Sequence, residues 1–206
     1  VHNRDSEYLK KLNRIKNFSY HNYRDFDILS YSKLVQYFLD KNYYVFRVGK
    51  TSDQYLSIKN DKYFDLPNHI YKNDIFDLYI LLNCKLFIGC DSGPWTIPYL
   101  NRKFILKTNY TTIGILEKMK HNNFVFIFKR FRDIKNRKLL SIREIFQRKL
   151  DNVFNSEIFL KEKIELIPND EITIFEAGKE LEKIESDIFT ESNQEKELQQ
   201  KFWDLI

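Results

Sequence analysis

Three short runs in this chain carry residue types suited to an anionic ligand: His2-Asn3-Arg4-Asp5, Arg47-Val48-Gly49-Lys50 and Asp91-Ser92-Gly93-Pro94. The third run is the most specific. It follows an apolar segment, Lys85–Cys90, and precedes a segment that reads as a helix. A strand, a tight turn and a helix start point the backbone N–H groups of Ser92 and Gly93 at whatever lies beyond the strand end. Such donors favour a phosphate or diphosphate. Gly93 has no side chain to hold the ligand off, and Ser92 adds a hydroxyl donor. The same four residues also suit an ordinary capped turn. Arg4 and Arg47 stand at or just past apolar runs, and each offers a planar fork that matches phosphate oxygens. The common alternative for either is an ion pair. Asp91 is expected to brace the turn. Gly49 and Lys50 belong to the same strand end as Arg47.

The elements that must position these runs follow from periodicity. Ser30–Lys41 has apolar residues at 31, 34, 35, 38 and 39, a helical stripe. Asp74–Asn83, Trp95–Leu100, Ser141–Leu150 and Pro168–Ser186 also read as helices, and Glu191–Ile206 closes the chain as another. Ser141 and Glu144 form the spacing of a capping box. Tyr43–Val48, Tyr63–Leu66, Lys85–Cys90, Lys103–Lys107 and Asn123–Phe128 read as short, apolar strands. Continuous apolar strands alternating with helices predict an α/β chain, a Rossmann-like parallel sheet with helices on both faces. Ligands of such sheets bind at the carboxyl ends of the strands, where the three runs lie. Asp5–Asn17 reads as a loop and short helix, and Phe18–Leu29 shows no period.

Charge divides the chain. It has 206 residues and a formal net charge of +5. Residues 151–206 carry 6 basic and 15 acidic side chains, and residues 1–150 carry 28 basic and 14 acidic. We therefore expect a basic ligand-binding domain over 1–150 and an acidic helical extension over 151–206 packed on it. Lys129–Lys138 is the densest basic stretch. It suits anionic lipid, nucleic acid or a solvated loop, and the acidic tail argues against nucleic acid. Cys84 and Cys90 read as core thiols in a reducing compartment. No zinc-like spacing and no Asp-x-Asp is found, so no metal is expected. His21, His69 and His121 read as surface residues. No run of about 18 apolar residues is present. Val1 reads as the end of a strand, which predicts further chain before it; a boundary inside a disordered leader is the alternative.

The run Phe87-Ile88-Gly89-Cys90-Asp91-Ser92-Gly93-Pro94, the helix after it and the strand at 103–107 resemble the second nucleotide-binding half of GT-B glycosyltransferases. Bacterial heptosyltransferases have a similar turn. A closer likeness, over about residues 1–150, is to bacterial glycosyltransferases found among surface-polysaccharide genes. They resemble this chain in an opening His-x-Arg-Asp, a strand ending Arg-x-Gly and the Asp-Ser-Gly turn. The first motif is also similar to the phosphate-binding arginine of fucosyltransferase-like enzymes. Trp95 and Thr96 stand where heptosyltransferases carry a His, so ADP-heptose is not implied. The resemblance implies a donor-binding half whose acceptor half is missing. Ser92 and Gly93 would hold the diphosphate of a nucleotide sugar, and Arg4 and Arg47 would neutralise it as it leaves. Asp65 and Leu66 would meet the base. Asp5 and His2 are the candidates for catalytic base; Asp5 is also a natural partner for either arginine. No cofactor is implied beyond the donor, and the acceptor would be a glycan or lipid-linked glycan. The expected location is the cytoplasm, with peripheral contact at the inner membrane face. The alternatives are a nucleotide-sugar epimerase-like enzyme and a non-enzymatic module binding nucleic acid or membrane.

Overall fold

A computed structural model describes residues 1–4, 18–50, 53–70, 72–119 and 123–206. The chain is mixed α/β. Helix α1 (Ser32–Asp40) follows two 3-10 turns, Ser19–Arg24 and Ile28–Tyr31, and precedes strand β1 (Val45–Arg47). Strand β2 (Tyr63–Asp65) pairs parallel with β1, Val45 opposite Tyr63. Helix α2 (Asp74–Asn83) follows, capped by the Asn73 side chain, which accepts from the Ile75 N–H at 2.8 Å. Strand β3 (Leu86–Gly89), helix α3 (Thr96–Leu100), strand β4 (Phe104–Tyr110) and strand β5 (Phe124–Phe128) complete a three-stranded parallel sheet in the order β3-β4-β5.

The two parallel sheets meet through the first two residues. The Val1 nitrogen donates to Phe46 O at 2.6 Å, and Val48 N–H donates to Val1 O at 3.0 Å. On the other side His2 N–H donates to Ile88 O at 2.8 Å, and His2 bridges Gly89 in parallel. Val1–His2 thus lies between β1 and β3.

Residues past 128 contain more strand than their sequence suggests. Strand β6 (Arg130–Asp133) pairs antiparallel with β7 (Ile164–Ile167), Arg130 opposite Ile167. Helices α4 (Ile142–Gln147) and α5 (Ser156–Lys161) lie between them, and α6 (Glu171–Glu185) and α7 (Asn193–Trp203) follow. Four-residue strands have too few alternations to register as a period. The basic stretch 129–138 is therefore half strand, and Arg132 of β6 is paired with Glu165 of β7. The capping box at Ser141 and Glu144 is present, and the helix ends at Gln147, ahead of Lys149 at φ 56°. The expected helix within 5–17 lies outside the described residues.

Helix α6 fills the centre. It packs on α1, β3, β4 and β5, and its Ile174, Ala177 and Leu181 join Leu34, Val35, Phe38, Ile88 and Leu106 in the main core. The lone alanine of the chain and Gly178 sit together at this crossing. A Cβ on Gly178 would stand 2.3 Å from Leu34 Cδ1, so only a hydrogen lets the two helices approach. One turn on, the buried Glu182 accepts from Tyr37 Oη at 2.6 Å, Lys41 Nζ at 2.7 Å and Tyr43 Oη at 3.1 Å. Burial alone would raise this carboxyl; the three donors outweigh it and hold it below the usual carboxylate range. Asn109 and Asn169 exchange side-chain-to-backbone bonds, fixing the start of α6 against β4. No described helix is long and apolar enough to cross a membrane.

Gly178→Val forces a branched side chain into the α1–α6 contact. We expect a loss of about 1–3 kcal/mol, read as a lower thermal midpoint by circular dichroism, since overpacked cores cost that much. Leu34→Ala in the same chain should restore part of that loss by opening the space.

Candidate functional site

A cavity of about 600 Å³ opens at the carboxyl ends of Val1–His2, β1 and β3. It borders seven of the residues singled out by sequence: His2, Arg4, Arg47, Gly49, Lys50, Ser92 and Gly93. Asp65, Leu66 and Asp91 do not line it, and Asp5 lies outside the described residues.

His2 and Ser92 meet at its floor. The His2 ring is 6% exposed. Its Nδ1 stands 2.9 Å from Val48 O, and its Nε2 stands 3.0 Å from Ser92 Oγ. A carbonyl only accepts, so Nδ1 carries the proton. In the neutral ring Nε2 is then the lone-pair nitrogen, and the Ser92 hydroxyl donates to it. Gly49 supports this contact with φ 147°, a conformation that favours glycine, and the edge it turns to His2 has no side chain. The Asp-Ser-Gly turn runs into a three-residue 3-10 turn, Gly93–Trp95, and then the five-residue α3. Two short turns carry little dipole, so the anion attraction expected from a helix start is modest here. Gly93 itself faces open space.

Arg47 proves to be a strut. It is 1% exposed and donates to Asn3 Oδ1 at 2.9 and 3.2 Å, Gln54 O at 2.5 Å and both Asp65 oxygens at 3.3 Å. Its fork is engaged within the protein, and so is the Asp65 carboxylate that was expected at the base. Leu66 is core, 3% exposed among Val48, Leu81, Phe87 and Ile105. Asp91 braces its turn by pairing with Lys107 Nζ at 3.2 Å. Lys107 is fully buried, over the Trp95 ring at 3.7 Å and the Tyr110 ring at 4.4 Å. Lys50 pairs with Asp74 at the rim.

The charge of the cavity comes from residues that periodicity passed over. Arg4 is 8% exposed; its Nη1 pairs with Asp25 and donates to His21 O at 3.1 Å. Its Nη2 is buried with no hydrogen-bond partner among the described residues. Arg24 donates from Nη1 to Asp91 O at 3.3 Å, and its Nε is likewise buried and unmatched. His21, read from sequence as a surface residue, lines the cavity with its Nδ1 buried and unmatched. Burial, then Arg24 and Arg4, hold its imidazole below the ordinary pKa. Two guanidinium nitrogens and one imidazole nitrogen, all on residues that line the cavity, are therefore unmatched among the described residues, and an anion would supply acceptors to the guanidinium pair.

A further cation, Lys129, aims this wall. Lys129 sits between β5 and β6, 4% exposed, and donates to Tyr23 O and Asp25 O at 2.8 Å each. It clamps the end of the 3-10 turn that carries His21 and Arg24. Burial pushes its ammonium from 10.5 down to about 8. The α2 wall is different. Asp77 pairs with Lys72 through Oδ2, while its Oδ1 is buried and without a donor among the described residues. No group of three or more His, Cys, Asp or Glu suited to a metal occurs among the described residues. Cys90 is fully buried and its thiol is pushed up to about 12, so it stays protonated.

The Lys129 pKa gives a stability signature. Folding lowers it, so below pH 8 both states bind the proton and the folded state bears the full cost of burying the charge. As pH rises from 8 to 10.5 the folded state sheds that proton before the unfolded state does, and stability rises. Wild type should gain about 3 kcal/mol over Lys129→Met across that window, measured by urea unfolding at stepped pH. Parallel pH profiles would refute the assignment. Against family models, curated proteins and solved structures, the chain gives no significant match.

Proposed function

We propose that the cavity binds the diphosphate of a nucleotide sugar, and that the chain is the donor-binding part of a GT-B-type glycosyltransferase acting on a surface-glycan or lipid-linked acceptor. The observation that carries this reading is the pair of buried guanidinium nitrogens, Arg4 Nη2 and Arg24 Nε, without partners among the described residues, on two side chains that line the cavity with His21. Unmatched buried donors are costly, and an anion with several acceptor oxygens satisfies them together.

Topology supports the same reading. With Val1–His2 counted as the first strand, the hydrogen-bonded order β2, β1, Val1–His2, β3, β4, β5 reads 3-2-1-4-5-6. That is the order of a Rossmann-like sheet, and its direction reverses between the first strand and β3. Ligands of open α/β sheets bind in the crevice at that reversal. His2, Asn3, Arg4, Ser92 and Gly93, from the two strand ends that flank the reversal, line the cavity.

The chemistry follows. When the bond between sugar and diphosphate breaks, negative charge builds on the leaving phosphate. Arg4 and Arg24, fixed in advance by Asp25 and the Asp91 carbonyl, stabilise that charge as it forms. The backbone N–H groups of Ser92 and Gly93 add donors, the Ser92 hydroxyl being committed to His2. His2 is the basic group that this chain offers to an acceptor hydroxyl, through Ser92: its Nδ1–H is committed to Val48 O, its Nε2 accepts from the Ser92 hydroxyl, and that hydroxyl oxygen can accept in turn. On this reading the enzyme works in the cytoplasm, in peripheral contact with the inner membrane face where the acceptor is lipid-linked. The basic stretch favours the alternatives less, since Lys129 is buried and Arg132 is paired with Glu165.

Calorimetric titration with UDP-, GDP-, ADP- and CMP-sugars should find binding for at least one diphospho donor and weaker binding for the monophospho one. Arg24→Ala should weaken the binding found about 10- to 100-fold, the worth of one charged hydrogen bond, with little change in thermal midpoint. Failure of pyrophosphate and of all four sugars to bind would overturn the proposal, as would undiminished binding by the variant.

A further inference from the structure

Resting on the reading that the cavity takes a nucleoside diphosphate, we propose that Asp77 reads the base and selects guanine. The cavity is chemically two-ended. Its arginine wall holds unmatched donors, including Nη2 of Arg4, a side chain more than nine-tenths buried. On the α2 side, Asp77 lines the cavity and its Oδ1 is a buried acceptor without a donor among the described residues. A simple anion answers the first wall and leaves the second unsatisfied. The occupant that answers both has acceptor oxygens at one end and N–H donors at the other.

The surroundings of Asp77 say what kind of donor. Leu81 lies one turn on from Asp77 on the same face of α2, and Leu78, Pro67 and Ile97 also line the cavity. Asp74, the other carboxylate that α2 gives to the lining, is paired with Lys50, and apolar side chains beside Asp77 suit a flat ring that buries its faces and directs an edge at the acid. Lys72 holds Oδ2 and fixes the carboxylate plane, yet that oxygen keeps a second lone pair. Guanine carries two adjacent donors, N1–H and the 2-amino group, which match the two oxygens of a carboxylate. Adenine and cytosine place an acceptor nitrogen beside their amino donor. Uracil places its single N–H between two carbonyls. Each of these sets a lone pair against a carboxylate oxygen, so guanine alone is accepted by both oxygens.

The test is a titration of wild type and Asp77→Asn with GDP, IDP, ADP, UDP and pyrophosphate. Wild type should bind GDP about tenfold or more tighter than ADP or UDP, with IDP, which lacks the 2-amino group, in between; a bidentate base contact is worth that much. In Asp77→Asn the preference for GDP should vanish and xanthosine diphosphate should gain, because the amide turns one acceptor into a donor. Pyrophosphate, which has no base, should bind both proteins alike. Binding of all four diphosphates by wild type within twofold would overturn the inference and leave the diphosphate site standing. So would an unchanged GDP preference in the variant. Should pyrophosphate and every nucleotide fail to bind wild type, the diphosphate site itself falls and the inference with it. If the variant does not fold, the wild-type series decides alone.

Discussion

A buried guanidinium organises the candidate site. Arg47 is the largest fully buried side chain among the described residues, and a charge so placed is tolerable only if its donors are engaged. Asn3, Gln54 and Asp65 engage them. Those partners come from the end of the first strand, the segment after β1 and the end of β2. Satisfying one side chain therefore fixes three strand ends relative to one another. The two-residue segment Val1–His2 has few backbone bonds of its own, and this clamp one residue further on keeps it between β1 and β3. The cavity opens where that clamp ends.

One wall of the cavity is built by a second tier of cations, Lys129 and Arg4 buried and Arg24 half-buried. Lys129 holds the turn after Phe18 by two carbonyls, Arg4 holds Asp25 and the His21 carbonyl, and Arg24 reaches the Asp91 carbonyl. Each spends some of its donors on backbone, and Arg4 and Arg24 each leave one nitrogen unmatched. Positive charge is thereby gathered on this side of the cavity, with Asp25 paired to Arg4 and the lining carboxylates Asp74 and Asp77 both on α2. Asp91, which neutralises Lys107 on the other side of the turn, does not line the cavity. The arrangement is preorganised: the groups are held by the fold before any ligand arrives, so little ordering entropy remains to be lost on binding.

The acidic C-terminal quarter serves the fold. Glu182 on α6 gathers Lys41, Tyr37 and Tyr43, Glu185 pairs with Lys85, and Glu165 with Arg132. Acid from residues 151–206 thus meets base from residues 1–150 at several contacts. The opposite charges of the two parts, legible in composition, are in this respect a packing device. Helix α6 is also the piece of chain that covers β3, β4 and β5 from one side, so the tail helps build the core.

Local pattern alone determined the apolar strands at 86–89, 104–107 and 124–128, the stripe of α1 and the cap at Ser141, because each depends on residues within one or two turns of each other; the continuation of β4 to Tyr110 was not marked by it. It also marked three strand ends as the place for chemistry, and seven of the residues named there border one cavity. Whether an arginine faces a ligand or the protein is a matter of partners tens of residues away. Arg47 met Asp65 and Asn3 and became a strut, whereas Arg24, in an aperiodic segment, kept a nitrogen unmatched. His21 reads as a polar loop residue until the turn that carries it is folded over Arg4 and clamped by Lys129. Strands β6 and β7 needed each other across 30 residues to exist, since neither four-residue piece has a pattern of its own. Sequence decided which segments could be strand, helix or turn; tertiary structure decided which polar atoms were left without partners, because satisfaction of a buried group is a property of the whole neighbourhood and of no single stretch of chain.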